Sequence, residues 1–374
     1  MDSSIALILA QDGLVTGAVY ALLAIGLVLV FSVTRVIFIP QGELVTYGAL
    51  TIATIQLNGF PKIIYLQMVL GLYLFVLELL KLGKSVHQNI KNSSSNVQFK
   101  ELIHNKEAEF KALIPSFLKF IFLPGLLWAL LYVLQASEVL AQMGVLSQIL
   151  LTLCLVAPLG PMLFKSVFEP VSDASVLVLL ILSVALHLSL MGLGLWMFGA
   201  EGGRSKPLLE LNLDWGAFSM SGQSIFVIVS SVILMIVFSL YFQYSMSGKA
   251  LRATAINRLG ARLMGINVKT SGQLAFLLAA FLGAFSGILI GPITTIYYDS
   301  GFIIGLKGFV GAILGALASY PLAACGALLV GLLESYVSFW ASAYKEVWVF
   351  SLIIPALMWR SFKHARLLDE DESL

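Results

Sequence analysis

Long apolar runs separated by short polar breaks fill most of the chain. A bilayer core about 30 Å thick asks for about 20 mainly apolar residues in helix, because lipid offers no partner to an open backbone N–H or C=O. The pattern predicts such spans near Gly13 to Val33, Ile63 to Leu82, Leu113 to Leu134, Val139 to Leu163, Ser175 to Phe198, Ser224 to Tyr244, Gln273 to Tyr297 and Pro321 to Trp340. Leu44 to Leu57, Ile303 to Ala318 and Val347 to Trp359 are shorter or weaker. Short, Gly-rich segments are where a transporter can break a helix against a cavity. The expected fold is therefore all-α, a polytopic transmembrane helical bundle of about 8 to 11 membrane segments, the short ones being candidate half-helices.

Polar stretches organise what lies between. Residues 84–112 form a hydrophilic insertion with the run Lys91, Asn92, Ser93, Ser94, Ser95, Asn96, which reads as a solvated linker with one surface helix. Residues 245–272 form a second polar loop. No solenoid-period repeat is visible, so one domain is expected over 1–374. Orientation follows from basic residues in short loops. Lys249, Arg252, Arg258, Arg262 and Lys269 precede Gln273 with no acidic residue among them, which places that loop in the cytoplasm. Counting spans in both directions puts Arg35, the 84–112 insertion, and Arg360, Lys363 and Arg366 on the same side, with the N-terminus outside. Before the first span stand only Asp2 and Asp12 as charges, so that span reads as retained and not as a cleaved signal.

Composition agrees with the bilayer as solvent. The 374 residues are 59% hydrophobic and 11% charged, with mean hydropathy +0.96, whereas soluble domains carry about 25% charged residues. A net charge of +2 without a basic block gives no nucleic-acid footprint. Cys154 and Cys325 sit in apolar runs without ligand spacing and read as small packing residues. No GxxxxGK[ST] loop occurs; Gly248-Lys249 lacks the upstream glycine and is followed by Ala250. HExxH and GxSxG are absent, and His87, His104, His187 and His364 are isolated. No enzyme, metal or cofactor is expected.

Ionisable residues inside apolar spans are costly and become the functional candidates. Glu78 and Lys119 lie near predicted span ends, where snorkelling suffices. His187 lies deep in its span, suited equally to a neighbouring helix or a solute. Glu43 follows Pro40, Gln41 and Gly42, Lys307 stands among Gly301, Gly305, Gly308 and Gly311, and Glu334 lies in the next span. Glu43 and Lys307 are expected to face a polar cavity or each other, and not lipid. Small residues such as Gly283, Ala284, Ser286 and Gly287 serve tight packing and a moving pathway equally.

The stretch GKALRATAINRLGARLMGIN, Gly248 to Asn267, combines helix formers with arginines and ends at Gly265 and Asn267. A short amphipathic helix on the membrane would look like this. It also resembles the cytoplasmic coupling loop of the branched-chain amino-acid ABC permease family, approximately GxAxRAxAxNxxxARLxGI. Near the N-terminus GLVTGAVYALLAIGLVLVFSVTRVIFIPQGELVTYGA resembles that family's first span and HGE turn, with Gln41 in place of His; GLKGFVGAILGALASYPLAACGALLVGLLES resembles its Gly-rich pair of segments. Ile256 replaces a usual acidic residue, Ala316, Ala318 and Ala323 replace glycines, and the middle matches weakly.

The resemblance implies a multi-pass permease of the bacterial inner membrane that carries branched-chain amino acids or a related small solute. Its implied partners are a homologous permease, two cytoplasmic ATPases, a periplasmic solute-binding protein and membrane lipid. Gly248, Arg252, Ala253, Ala255, Asn257, Arg262 and Gly265 would couple to the ATPase, and Gln41, Gly42, Glu43, Lys307 and Glu334 would belong to the translocation pathway. Permeases for urea or short amides share a similar pattern. On the residues alone, an ion-coupled secondary transporter or a channel is the rival reading.

Overall fold

The computed structural model describes residues 3–92, 114–215 and 218–358. Most of the 84–112 insertion and the basic cluster Arg360, Lys363 and Arg366 lie outside the described residues. Among these, eight helices are long and apolar enough to cross a membrane. They are α1 (Ser3–Thr34), α3 (Ile63–Asn92), α4 (Ile114–Ala136), α5 (Val145–Val171), α6 (Val176–Phe198), α7 (Gly222–Tyr244), α10 (Val268–Ile290) and α12 (Tyr320–Trp340). Shorter helices complete the order: α2 (Gln41–Gln56), α8 (Met246–Ile256), α9 (Arg258–Leu263), α11 (Ser300–Leu314) and α13 (Lys345–Ser351). The span expected at Val139 to Leu163 starts later, because Glu138 is left-handed and Val139–Gln142 is a separate turn. The one expected at Gln273 to Tyr297 starts earlier: Asn267 caps α10 by accepting from the N–H groups of Lys269 and Thr270. A small hairpin, β1 (Asn212–Trp215) on β2 (Phe218–Ser221), pairs Asn212 with Ser221 in the loop before α7.

Hydrophobicity alone does not sort the spans, but burial does. The most apolar window of α1 is 83% buried and that of α4 only 17%. With no aqueous solvent between helices, the inner ones must be held by close packing. The centre is α2, on which every residue except Thr54 is buried. It packs against α10 through glycines: a methyl group on Gly287 would lie 1.9 Å from the Val45 carbonyl oxygen. Against α11, a methyl on Gly42 would lie 2.1 Å from the Gly301 carbonyl oxygen. Around this core, α3, α4, α6, α7 and α12 present long exposed apolar faces, as lipid-facing helices do.

Beyond the exposed Arg35, the link from α1 to α2 is buried or half-buried and not helical. Arg35 adopts a left-handed conformation (φ 62°) and ends α1, and the chain folds back so that Gln41 Nε2 donates to the Leu23 carbonyl (3.1 Å), well inside α1. Non-helical backbone at that depth survives only where protein satisfies it. The Ile39 N–H donates to Ser183 Oγ (3.0 Å), and Phe38 packs against Phe168 and Phe276. Ser183 belongs to the single buried stripe of α6, which includes His187 and Leu190, so one helix face satisfies both the link and α2.

Candidate functional site

Two clusters of ionisable side chains lie in the apolar interior. The first is built on the α2 N-terminus. Glu43 is in the first turn, where free N–H groups and the helix dipole favour an anion. Its Oε1 lies 2.8 Å from His187 Nδ1, and both residues are buried. The His187 ring stacks on Phe302 of α11, centroids 4.5 Å apart. Farther along α2, Tyr47 donates its hydroxyl to the Leu190 carbonyl (2.6 Å). Glu43 Oε2 and Gln41 Oε1 are buried without a hydrogen-bond partner. Beside them lies a cavity of about 190 Å³ lined by Gln41, Phe302, Gly305, Phe309 and aliphatic side chains.

The second cluster centres on Lys307. Its Nζ is 2.5 Å from Glu334 Oε1 and 3.0 Å from Glu346 Oε1, and the Tyr20 hydroxyl donates to Glu334 Oε2 (2.8 Å). Lys307 is 4% exposed, while the Glu346 side chain is 38% exposed. The cluster carries one more carboxyl group than ammonium, and Glu346 Oε2 is buried without a hydrogen-bond partner. Four elements, α1, α11, α12 and α13, are thereby tied at one point.

Glu43 and Lys307 thus avoid lipid, but the structure does not bring them together: each takes its own partners. It does join Lys307 to Glu334. His187 makes a helix-to-helix contact, with Glu43. Tyr20 and Glu346 were not legible as site residues, Tyr20 being one aromatic in an apolar run and Glu346 standing in a polar connection. Neither cluster sets a nucleophile beside a base, and among the described residues no group of three His, Cys, Asp or Glu could hold a metal ion. Bonded ionisable groups in an apolar surround instead tie the helices that carry them together.

The polar loop after α7 departs from the expected single helix. Asn257 is extended and its Oδ1 accepts from the Gly260 N–H (2.9 Å), so α8 stops and α9 begins there. Gly265, at φ 80°, closes α9, with the Ile266 N–H donating back to the Ala261 carbonyl (2.9 Å). Asn267 starts α10 instead of ending this segment. Gly248 is buried on α7, a methyl there lying 2.4 Å from the Tyr241 carbonyl oxygen. Leu251 and Thr254 are buried, and Thr254 Oγ1 lies 3.3 Å from Ser271 Oγ of α10. Ala253 and Ala255 are half-buried, and Ala255 packs against the core. Arg252 and Arg262 are exposed, Arg262 lying 3.9 Å from Asp173. Partial burial lowers the Arg258 guanidinium from its ordinary value, as does the Arg262 charge; it stays cationic at neutral pH. Between α1, α7, α8 and α12 lies a cavity of about 700 Å³, with Arg252, Tyr320 and Ser32 in its lining.

Residues 9–359 match the family described as branched-chain amino acid transport system, permease component. Over 201 residues the chain is 29% identical to the high-affinity branched-chain amino acid transport system permease protein LivH of Escherichia coli, covering 51% of this chain and 64% of that protein. It is 33% identical over 160 residues to the corresponding BraD of Pseudomonas aeruginosa, covering 41% of this chain and 52% of that protein. A probable branched-chain amino acid transport permease LivH of Methanocaldococcus jannaschii is 28% identical over 179 residues, 46% of this chain and 56% of the relative. The matched part therefore spans less than two thirds of each of these relatives. No solved structure matches the chain.

Proposed function

Because the chain belongs to the family of permease components of branched-chain amino acid transport systems, we propose that it is the membrane-spanning permease of an ATP-driven importer for branched-chain amino acids or a related small solute. One observation carries the reading: α8 and α9 leave large apolar side chains bare beside arginines. Ile256 is 84%, Leu259 67%, Leu263 80% and Met264 83% exposed. Leu259 and Leu263, four residues apart, share a helix face. Meanwhile the opposite side of α8 is already used on the bundle through Leu251 and Thr254. An apolar face with a cationic rim, rigidly seated, suits a cleft in a separate ATPase chain.

Mechanism follows from what α8 touches. Closure of the ATPases presses α8; Gly248 passes the push to α7 and Thr254 passes it to α10. From α10 it reaches α2 through the contact of Gly287 with Val45, and so Glu43. Gln41, Gly42, Glu43, Lys307 and Glu334 line or latch the pathway on α2, α11 and α12, with the 700 Å³ cavity as its cytoplasmic vestibule. A solute handed over by a periplasmic binding protein crosses without covalent chemistry. A homologous permease supplies the other half.

The test uses the exposed face. Leu259→Asp with Leu263→Asp is expected to leave the purified chain folded and to abolish both co-purification of the ATPases and solute-stimulated ATP hydrolysis. Uptake that persists in cells lacking those ATPases would instead identify an ion-coupled transporter. Topology is checked separately in a Cys154→Ala, Cys325→Ala background. The span count that puts the N-terminus outside also puts the loop Glu201 to Trp215 outside, so Glu201→Cys should react with an impermeant maleimide in intact cells, and Leu263→Cys only after permeabilisation; the reverse pattern inverts the assignment.

A further inference from the structure

Away from both ionic clusters, one end of the bundle holds a cavity of about 400 Å³ between α3, α4, α5 and α10. Its lining divides by chemistry. Lys119 and Lys165 stand on one part, while Leu123, Pro124, Pro158 and Leu277 form an apolar trough. Each lysine sits in a π-helical turn, Leu118–Phe122 in α4 and Phe164–Phe168 in α5. Such widened turns are rare and concentrate at functional sites, because the extra residue re-aims a side chain at the expense of regular hydrogen bonding. Here two of them carry the two lysines of one cavity. The buried Phe120 ring lies between: Lys165 Nζ is 4.6 Å and Lys119 Nζ 5.5 Å from its centroid.

Charge and position narrow the ligand. Glu78 forms an ion pair with Lys165, whereas among the described residues Lys119 has no carboxylate within ion-pair distance. Among the described residues the cavity is therefore net positive. Lys119 is near the start of α4, Lys165 near the end of α5, and Thr270, also in the lining, is in the first turn of α10. All three belong to the end of the bundle from which α8 and α9 project. Leu123 at the rim is 59% exposed, on the helix least covered by protein. A cationic end at the level of the helix termini, joined to an apolar trough that opens sideways, has the polarity of a phospholipid. Cationic pockets between membrane helices at that level attract anionic headgroups.

We propose that this cavity binds an anionic phospholipid, its phosphodiester between Lys119 and Lys165 and an acyl chain along Leu123, Pro124, Pro158 and Leu277. The site does not depend on what the permease carries.

Native mass spectrometry of the full chain in detergent, titrated with dioleoyl phosphatidylglycerol, dioleoyl phosphatidylcholine or inorganic phosphate, tests it. Phosphatidylglycerol is expected to bind about tenfold more tightly than phosphatidylcholine. Lys119→Gln should weaken it about fivefold, the usual scale for one basic residue near an anionic headgroup. Glu78→Gln should strengthen it, because Lys165 is released from its partner; a variant that merely misfolded could not do so. Equal binding of the two lipids would overturn the proposal. So would displacement of phosphatidylglycerol by millimolar inorganic phosphate, the mark of a free-anion site, or indifference of the lipid preference to both variants.

Discussion

Lys307→Met is expected to cost roughly 3–5 kcal/mol of stability, because it removes one partner of a buried ionic group and leaves the others uncompensated. Lys307 Nζ serves Glu334 and Glu346 at 2.5 and 3.0 Å, and among the described residues no other cation lies within ion-pair distance of either carboxylate. Methionine keeps the length of the lysine stem, so packing changes little and the charge is what is lost. The measurement is the unfolding midpoint of the purified chain in detergent. Lys307→Met with Glu334→Gln should regain part of the loss, since one uncompensated carboxylate is gone, and the non-additivity of the cycle gives the coupling. An unchanged midpoint in Lys307→Met would mean that the carboxylates are held protonated and that no ionic latch exists.

The second large effect belongs to a residue with no chemistry. Gly287→Ala should destabilise by roughly 1–3 kcal/mol or more, the usual range for overpacking a well-packed core. The added methyl falls 1.9 Å from the Val45 carbonyl oxygen and 2.9 Å from the Ala49 amide nitrogen. Both neighbours are helix backbone, which cannot rotate aside as a flexible side chain would; α2 and α10 must separate. Gly192→Ala and Gly125→Ala are the controls. Neither methyl meets an atom within 4 Å, and alanine is the better helix former by about 1 kcal/mol, so both should hold or raise the midpoint. If Gly287→Ala behaves like the controls, the close approach of α2 to α10 is wrong. Because the push from α8 is proposed to reach Glu43 through this contact, Gly287→Ala is also expected to impair uptake more than its loss of folded protein explains.

How far the sequence reached can be seen helix by helix. The eight long spans were legible because lipid forces every backbone group into a helix, and a helix of that length has a composition that soluble structure rarely shows. Helix ends were less legible. Asn267 reads equally as a stop for one helix or a cap for the next, and only the hydrogen bonds to Lys269 and Thr270 decide for α10. Asn257 is likewise one polar residue among arginines until its extended backbone divides α8 from α9.

By itself, the sequence determined the solvent of this protein, its all-α architecture, the absence of a phosphate-binding loop, and Glu43, Lys307 and Glu334 as charges that lipid would not tolerate. Those are consequences of composition and of the cost of burying charge, which depend on residue type and not on neighbours. Only the tertiary structure decided the partners. Glu43 meets His187 across 144 positions of chain and Tyr20 meets Glu334 across 314. Such pairings depend on which helix faces touch, and in a membrane that choice rests on glycine contacts and single hydrogen bonds, signals that an apolar sequence spreads thinly over every helix. The same reason hid how deeply α2 is enclosed: the short, modestly apolar run Leu44 to Leu57 was legible as a weaker segment, and every residue of α2 except Thr54 is buried.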